Sequence, residues 1–140
     1  MTQPVHASVV ALHIGGQWRG VLIRGQSGAG KSDLALRLMS LGAKLVVDDQ
    51  AIIWNSQNSL YARPPATIAG KIELRGVGII AQPHLDMARI WLVVDAVSEP
   101  PERHPDPQFC ELCGVRVASI FLQLKQASAA QVVATALQAL

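Results

Sequence analysis

Apolar residues along the chain occur in short runs that glycine, proline and polar residues interrupt. Runs of this length, rich in β-branched residues, are typical of buried strands. We predict six strands, at 7–12, 20–23, 45–47, 71–74, 90–94 and 115–124. The pair Gly15-Gly16 predicts a tight hairpin after the first strand, because such turns need positive φ angles. The segment around Pro64-Pro65 is predicted to be less regular.

Two segments have the residue spacing of helices. Residues 32–41 carry three leucines that we place on one helical face, namely Leu34, Leu38 and Leu41. Gly42 supplies the stop for this helix. Residues 127–140 are rich in alanine and leucine and predict a closing helix, with Ser128 as its N-cap. The prolines within 98–108 predict a loop there.

The order of these elements predicts the fold class. A strand, a helix and a strand over residues 21–47 match the length of a right-handed βαβ unit, about 30 residues. We find neither an internal repeat nor a linker. We therefore predict one α/β domain over residues 1–140, with a central, mixed and largely parallel sheet flanked by helices.

Composition narrows the classes of function. Of 140 residues, 50% are hydrophobic and 16% are charged, which excludes a disordered chain. The net charge of +2, without a run of Lys or Arg, does not favour nucleic acid as a partner. No apolar run is long enough for a membrane helix, and we expect no membrane association. The first residues lack a secretion signal, and Cys110 and Cys113 are expected to be ordinary thiols, so a cytoplasmic location is favoured.

One motif carries the strongest chemical signal. The pattern G-x-x-x-x-G-K-[ST] is satisfied by Gly25-Gln26-Ser27-Gly28-Ala29-Gly30-Lys31-Ser32. Glycines allow the backbone to wrap around a phosphate, and consecutive N–H groups with the start of a helix attract its charge. The Lys31 ammonium suits the β- and γ-phosphates, and the Ser32 hydroxyl suits Mg²⁺. The motif predicts nucleotide binding.

Carboxylates follow two of the predicted strands. Asp48 and Asp49 come directly after the strand at 45–47, and we expect them beside the glycine-rich loop at the sheet edge where ligands bind. One carboxylate suits Mg²⁺ or its water, and the other suits the proton of an attacking hydroxyl. Asp95, after the strand at 90–94, is the second-ranked candidate. Glu73 alternates with apolar neighbours, which fits either a site or a surface ion pair.

Taken together, these segments resemble the catalytic domain of the bacterial HPr kinase/phosphorylase family, in a short form made of the C-terminal domain. The resemblance covers residues 6–103 and is carried by His6 and by the segments 20–32, 45–49 and 73–80. It implies phosphorylation by ATP of a serine on HPr, the phosphocarrier protein of the phosphotransferase system. It also implies the reverse reaction, in which phosphate attacks phosphoserine and yields pyrophosphate, and a homohexameric assembly.

The resemblance also implies roles for individual side chains. Lys31 contacts the transferred phosphate, and Ser32 and Glu73 help to hold Mg²⁺. Asp49 is favoured as the base that takes the serine proton, with support from Asp48.

Two further residues take their implied roles from the same resemblance. His6 lies near the phosphates, and Arg103 stabilises charge on the transferring group. The chain departs from the family at Gln26, where an acidic residue is common, and after Gly114, where a Pro-x-x-Pro-Gly-Arg-Asn-like stretch associated with dephosphorylation is missing.

Two other functions remain open from the sequence. A kinase for small molecules shares the glycine-rich loop but normally carries a lid with arginines, and Arg103 is the one loop candidate. A nucleotide-binding regulator without transfer activity is the other alternative. A GTPase switch is disfavoured, because the chain has no Asn-Lys-x-Asp sequence.

Overall fold

Ten strands and two helices form the fold in a computed structural model that describes residues 1–140. The strands are β1 (Thr2–Ile14), β2 (Gln17–Arg24), β3 (Lys44–Val47), β4 (Gln50–Ser56), β5 (Ser59–Arg63), β6 (Lys71–Leu74), β7 (Gly78–Ala81), β8 (Ala88–Ala96), β9 (Gln108–Leu112) and β10 (Val115–Leu122). The helices are α1 (Lys31–Ser40) and α2 (Ala129–Gln138), and a short 3-10 helix covers Ala66–Ile68. Neither α-helix has the length and apolar character that crossing a membrane requires.

Two long strands organise the main sheet. The first half of β1 pairs with β4 and its second half pairs with β2 and β3, while β8 pairs with β5 at its start and with β2 and β10 further on. The path β2-β1-β4-β5-β8 therefore returns to β2. Strands β6 and β7 form a separate two-stranded hairpin beside the sheet.

Alternation along the strands separates two apolar cores. Val21 and Ile23 of β2 face α1 and α2, which pack together on this side of the sheet. Leu22 faces the opposite way, into a core shared with β4 and β5 that neither α-helix enters. Both α-helices thus cover one face of the sheet, and strands cover the other. Successive side chains of a strand point to opposite faces, so a strand such as β2 contributes to both cores.

Most of the predicted elements are confirmed, as is the α/β class with a mixed sheet. Gly15 and Gly16 have φ angles of 59° and 80° at the turn between β1 and β2. Gly42, with φ of 102°, follows α1. Leu34 and Leu38 are buried as one helical face, but Leu41, which we placed on the same face, is the C-cap of α1 and is 43% exposed.

Two features of the predicted architecture are wrong. The sheet is not largely parallel, because only the β2–β8 and β8–β10 pairs are parallel. The unit over 21–47 is split, because β2 and β3 are both antiparallel to β1, which lies between them. The irregular middle segment contains β4 and β5, and β9 was not predicted.

Arg19 of β2 stabilises the C-terminal end of α2. Its Nη1 atom donates to the carbonyl oxygens of Leu137, at 3.1 Å, and Leu140, at 3.0 Å. Its guanidinium lies 4.3 Å from the centre of the Trp91 ring. A cation at a helix C-terminus binds the carbonyl groups that the helix itself leaves unpaired.

We predict that Arg19→Met lowers the free energy of unfolding by about 1–2 kcal/mol, because the last carbonyls of α2 lose their donor. Thermal unfolding measures the loss. Arg89→Met is the matched control, since Arg89 lies 5.2 Å from the same ring and makes no hydrogen bond to α2. Equal losses in the two variants would contradict the capping role.

Candidate active site

The glycine-rich loop (residues 25–32) connects β2 to α1. Gly25 approaches the end of β8 so closely that a Cβ atom at position 25 would lie 2.6 Å from Cβ of Ala96. Gly30 is the N-cap of α1 and has a φ angle of 103°, a region that side chains disfavour. These two positions require glycine for different reasons, one for close approach and one for backbone conformation.

Lys31 closes the loop on itself. Its ammonium donates to the carbonyl oxygens of Gly25, at 2.9 Å, and Gln26, at 3.0 Å, and the residue is only 6% exposed. The amide of Ala29 also donates to the Gln26 carbonyl. No side chain caps the first turn of α1, so its amides keep the capacity to bind an anion.

Asp48 is a buried carboxylate that is held by three donors. Its Oδ1 accepts hydrogen bonds from the hydroxyls of Ser32, at 2.6 Å, and Ser8, at 3.0 Å. Its Oδ2 accepts from the amide of Glu73 at 3.5 Å. Asp48 therefore links the glycine-rich loop to β1 and β6, and its lone pairs are directed at the Ser32 hydroxyl rather than at solvent.

Asp49 has the opposite character. Its φ angle is 75°, so the chain turns sharply and the side chain of Asp49 remains 61% exposed. Nε2 of His6 lies 3.3 Å from its Oδ1. Few non-glycine residues adopt the left-handed region, and those that do often lie at functional sites. The side chain of Asp48 is therefore directed at the glycine-rich loop, and that of the adjacent Asp49 extends into the open cleft.

The cleft has a volume of about 650 Å³ and brings together most of the predicted residues. The glycine-rich loop contributes Ser27, Gly28, Gly30, Lys31 and Ser32 to its lining. His6, Asp48 and Asp49 lie in the lining, and β6 contributes Glu73. Gly25, Gln26 and Ala29 support the loop without lining the cleft.

Two predicted residues lie elsewhere. Arg103 is exposed in the loop between β8 and β9 and does not line the cleft. Asp95 is paired with Arg24, whose Nε lies 2.5 Å from Oδ1 of Asp95, and this hydrogen bond raises the pKa of Arg24. Asp95 does not line the cleft either. Asp48 and Asp49 lie at the same sheet edge as the glycine-rich loop, as predicted, although β1 separates their strand β3 from the loop strand β2.

Six residues of the site were not predicted, namely Ser8, Asp33, Leu36, Leu74, Arg75 and Lys125. Ser8 is fully buried and its hydroxyl donates to Asp48. A single hydroxyl within an apolar strand was the feature of the sequence that could have indicated this role. Lys125 lines the cleft from the turn after β10, and nothing in the sequence around it marks this position.

Neither cysteine takes part in the site. Cys110 and Cys113 are free thiols, and burial raises the pKa of Cys110. No group of three or more His, Cys, Asp or Glu side chains in the chain has the arrangement of a metal centre.

Comparison with known proteins identifies the family of this chain. The family model of the HPr serine kinase C-terminal domain matches residues 1–139. The chain belongs to this family. Within the HPr serine kinase family, the HPr kinase/phosphorylase of Clostridium acetobutylicum is 44% identical over 66 residues, which cover 47% of this chain and 22% of that protein.

Two further family members extend the comparison. The HPr kinase/phosphorylase of Malacoplasma penetrans is 30% identical over 111 residues, covering 70% of this chain and 37% of that protein. The solved HPr(Ser) kinase/phosphatase of Coxiella burnetii has a TM-score of 0.79 at 26% identity, covering 95% of this chain and 92% of that chain. The chain thus spans well under half of the two kinase/phosphorylases but nearly all of the solved chain.

Proposed function

We propose that this protein is an ATP-dependent kinase that phosphorylates a serine of the phosphocarrier protein HPr. The names of its relatives support HPr as the substrate. The observation that carries the proposal is the exposed carboxylate of Asp49, which shares one cleft with Lys31 and the glycine-rich loop. Phosphoryl transfer needs an anion-binding loop and a nearby proton acceptor, and this cleft offers both.

The donor set suits a magnesium ion. The Ser32 hydroxyl, 2.6 Å from the Asp48 carboxylate, and the Glu73 carboxylate in the same lining are the hard oxygen groups that Mg²⁺ prefers. Ser32 and Glu73 would hold the ion, and Asp48 would orient Ser32. When bound, Mg²⁺ offsets charge on the phosphates.

The chain's own groups then perform the transfer. The amides of the glycine-rich loop and the Lys31 ammonium bind the phosphates and stabilise the charge that moves during the reaction. Asp49 accepts the proton of the serine hydroxyl, whose oxygen forms the new bond to the γ-phosphorus as the bond to the β-phosphate oxygen breaks and ADP leaves. His6 holds the Asp49 carboxylate in place.

The proposal includes the reverse reaction. Inorganic phosphate attacks phosphoserine, the serine oxygen takes back a proton from Asp49, and pyrophosphate is released. Release of pyrophosphate from serine-phosphorylated HPr and inorganic phosphate measures this activity. Its absence in a chain that phosphorylates HPr would limit the proposal to the forward direction.

We also propose that the protein assembles as a homo-oligomer, a hexamer by family resemblance. The hairpin of β6 and β7 supports this, because Val77 is 67% exposed and Ile79 is 69% exposed. Light scattering on the purified chain measures the assembly, and a monomer at all concentrations would exclude it.

Incubation of the chain with HPr, Mg²⁺ and ATP labelled at the γ-phosphate tests the forward reaction. We expect the label on a serine of HPr and no label on an HPr variant with that serine replaced by alanine. Nucleotide binding without transfer would instead identify a regulator. Transfer to a small molecule but not to HPr would identify the alternative kinase class.

A further inference from the structure

We propose that Lys125 is a second phosphate-binding cation of the cleft, which contacts the phosphate chain of a bound nucleotide from the turn between β10 and α2. The inference rests on the proposed function only in taking a nucleotide as the ligand of the cleft. It assigns to Lys125 the second positive charge that the sequence suggested for Arg103, which lies outside the cleft.

Lys125 reaches the cleft across the start of α1. Its stem packs on the backbone of Gly30, because a Cβ atom at Gly30 would lie 3.3 Å from Cγ and 3.7 Å from Cε of Lys125. The side chain is exposed and lines the cleft with Gly28, Lys31 and Ser32. The glycine-rich loop and Lys125 therefore face the same space.

Arg37 of α1 fixes the backbone on both sides of Lys125. Its Nη2 donates to the carbonyl oxygen of Leu124, and its Nη1 donates to that of Gln126 at 3.2 Å. Nε of Arg37 donates to Asp33 at 3.0 Å, which holds the guanidinium in this orientation. A lysine whose two neighbours are tied to the loop helix has less backbone freedom to lose when a ligand binds.

The charge of Lys125 is not neutralised within the protein. The four ion pairs of the structure involve other residues, and none includes Lys125. Asp33, Asp48 and Asp49, the aspartates of the lining, already have partners in Arg37, Ser32 and His6. Glu73, the remaining carboxylate of the lining, makes no ion pair with Lys125. An unpaired cation beside an anion-binding loop attracts a polyphosphate.

Calorimetric titration with ADP, AMP and adenosine tests the inference by binding rather than by activity. We expect Lys125→Gln to weaken ADP binding by about tenfold and adenosine binding by less than about twofold, because the interaction is with phosphate. Lys125→Arg is expected to restore most of the ADP affinity. Lys44→Gln is the matched control, because Lys44 lies at the start of β3 against Trp18 and outside the cleft.

A variant of Arg37 provides a second test, since Arg37 positions Lys125 without lining the cleft. We expect Arg37→Gln to weaken ADP binding, and the Arg37→Gln, Lys125→Gln double variant to be no weaker than Lys125→Gln alone. Additive losses would show that Arg37 acts independently of Lys125 and would overturn the positioning argument.

Three outcomes separate this inference from the proposed function. Unchanged ADP affinity in Lys125→Gln, with normal binding by the unmodified chain, overturns the inference alone. Binding that depends on Lys125, without transfer to HPr, supports the inference and overturns the proposed function. An unmodified chain that binds no ADP overturns both.

Discussion

Replacement of Lys31 by alanine is expected to lower phosphoryl transfer to HPr by at least about 10³-fold. Lys31 is only 6% exposed and its ammonium lies within the glycine-rich loop, where its charge is poorly screened. Loss of this cation removes stabilisation of the charge that moves to the leaving phosphate. Initial rates with labelled ATP measure the effect.

Lys44→Ala provides the control for this variant, because it removes a lysine that does not line the cleft. Lys31 also donates to two loop carbonyls, so thermal unfolding of Lys31→Ala is needed to show that the variant is folded. Lys31→Arg retains the charge with a different shape and is expected to regain only part of the activity. Transfer by a folded Lys31→Ala variant at a rate near that of the unmodified chain would contradict the role of Lys31.

Replacement of Asp49 by asparagine is expected to lower the transfer rate by about 10²- to 10⁴-fold while ADP affinity stays within about twofold. The amide has nearly the shape of the carboxylate but cannot take the serine proton. Asparagine tolerates the φ angle of 75° at this position, so the fold should be retained. Single-turnover transfer to HPr and calorimetric titration with ADP separate chemistry from binding.

The chain contains a matched control for this substitution. Asp86 is a fully exposed aspartate whose Oδ1 lies 3.7 Å from Nε2 of His84, outside the cleft. Asp86→Asn makes the same chemical change beside a histidine and is expected to leave transfer unchanged. If Asp49→Asn retained normal turnover, Asp49 would not be the base.

Local sequence was sufficient to predict the parts of the site that are contiguous in the chain. The glycine-rich loop needs two glycines at fixed positions, which the eight-residue motif shows, and a helix that begins at Lys31, which the leucine spacing after the motif indicates. Asp48 and Asp49 follow a strand, so their location at the sheet edge also follows from short-range pattern. The different surroundings of the two aspartates do not follow from this pattern, because the hydroxyl of Ser8 that holds Asp48 is 40 residues away.

Pairing between distant strands accounts for the features that the sequence did not predict. Insertion of β1 between β2 and β3 depends on which strands meet, and apolar runs do not encode their partners. The polar residues Asn55, Ser56 and Ser59, where β4 meets β5, and the pair Pro64-Pro65 after β5 suggested an irregular segment. Lys125 enters the cleft only because α2 returns against α1 and Arg37 ties the intervening turn to the loop helix.

The most direct test of the account is a crystal structure of the chain with Mg²⁺ and a non-hydrolysable ATP analogue. We predict that the β- and γ-phosphates contact the amides of residues 27–32 and the Lys31 ammonium. We also predict that the Asp49 carboxylate faces the γ-phosphorus across a space that admits a hydroxyl oxygen about 3–3.5 Å from that phosphorus. Phosphates bound outside the glycine-rich loop, or an Asp49 side chain directed away from them, would contradict the account.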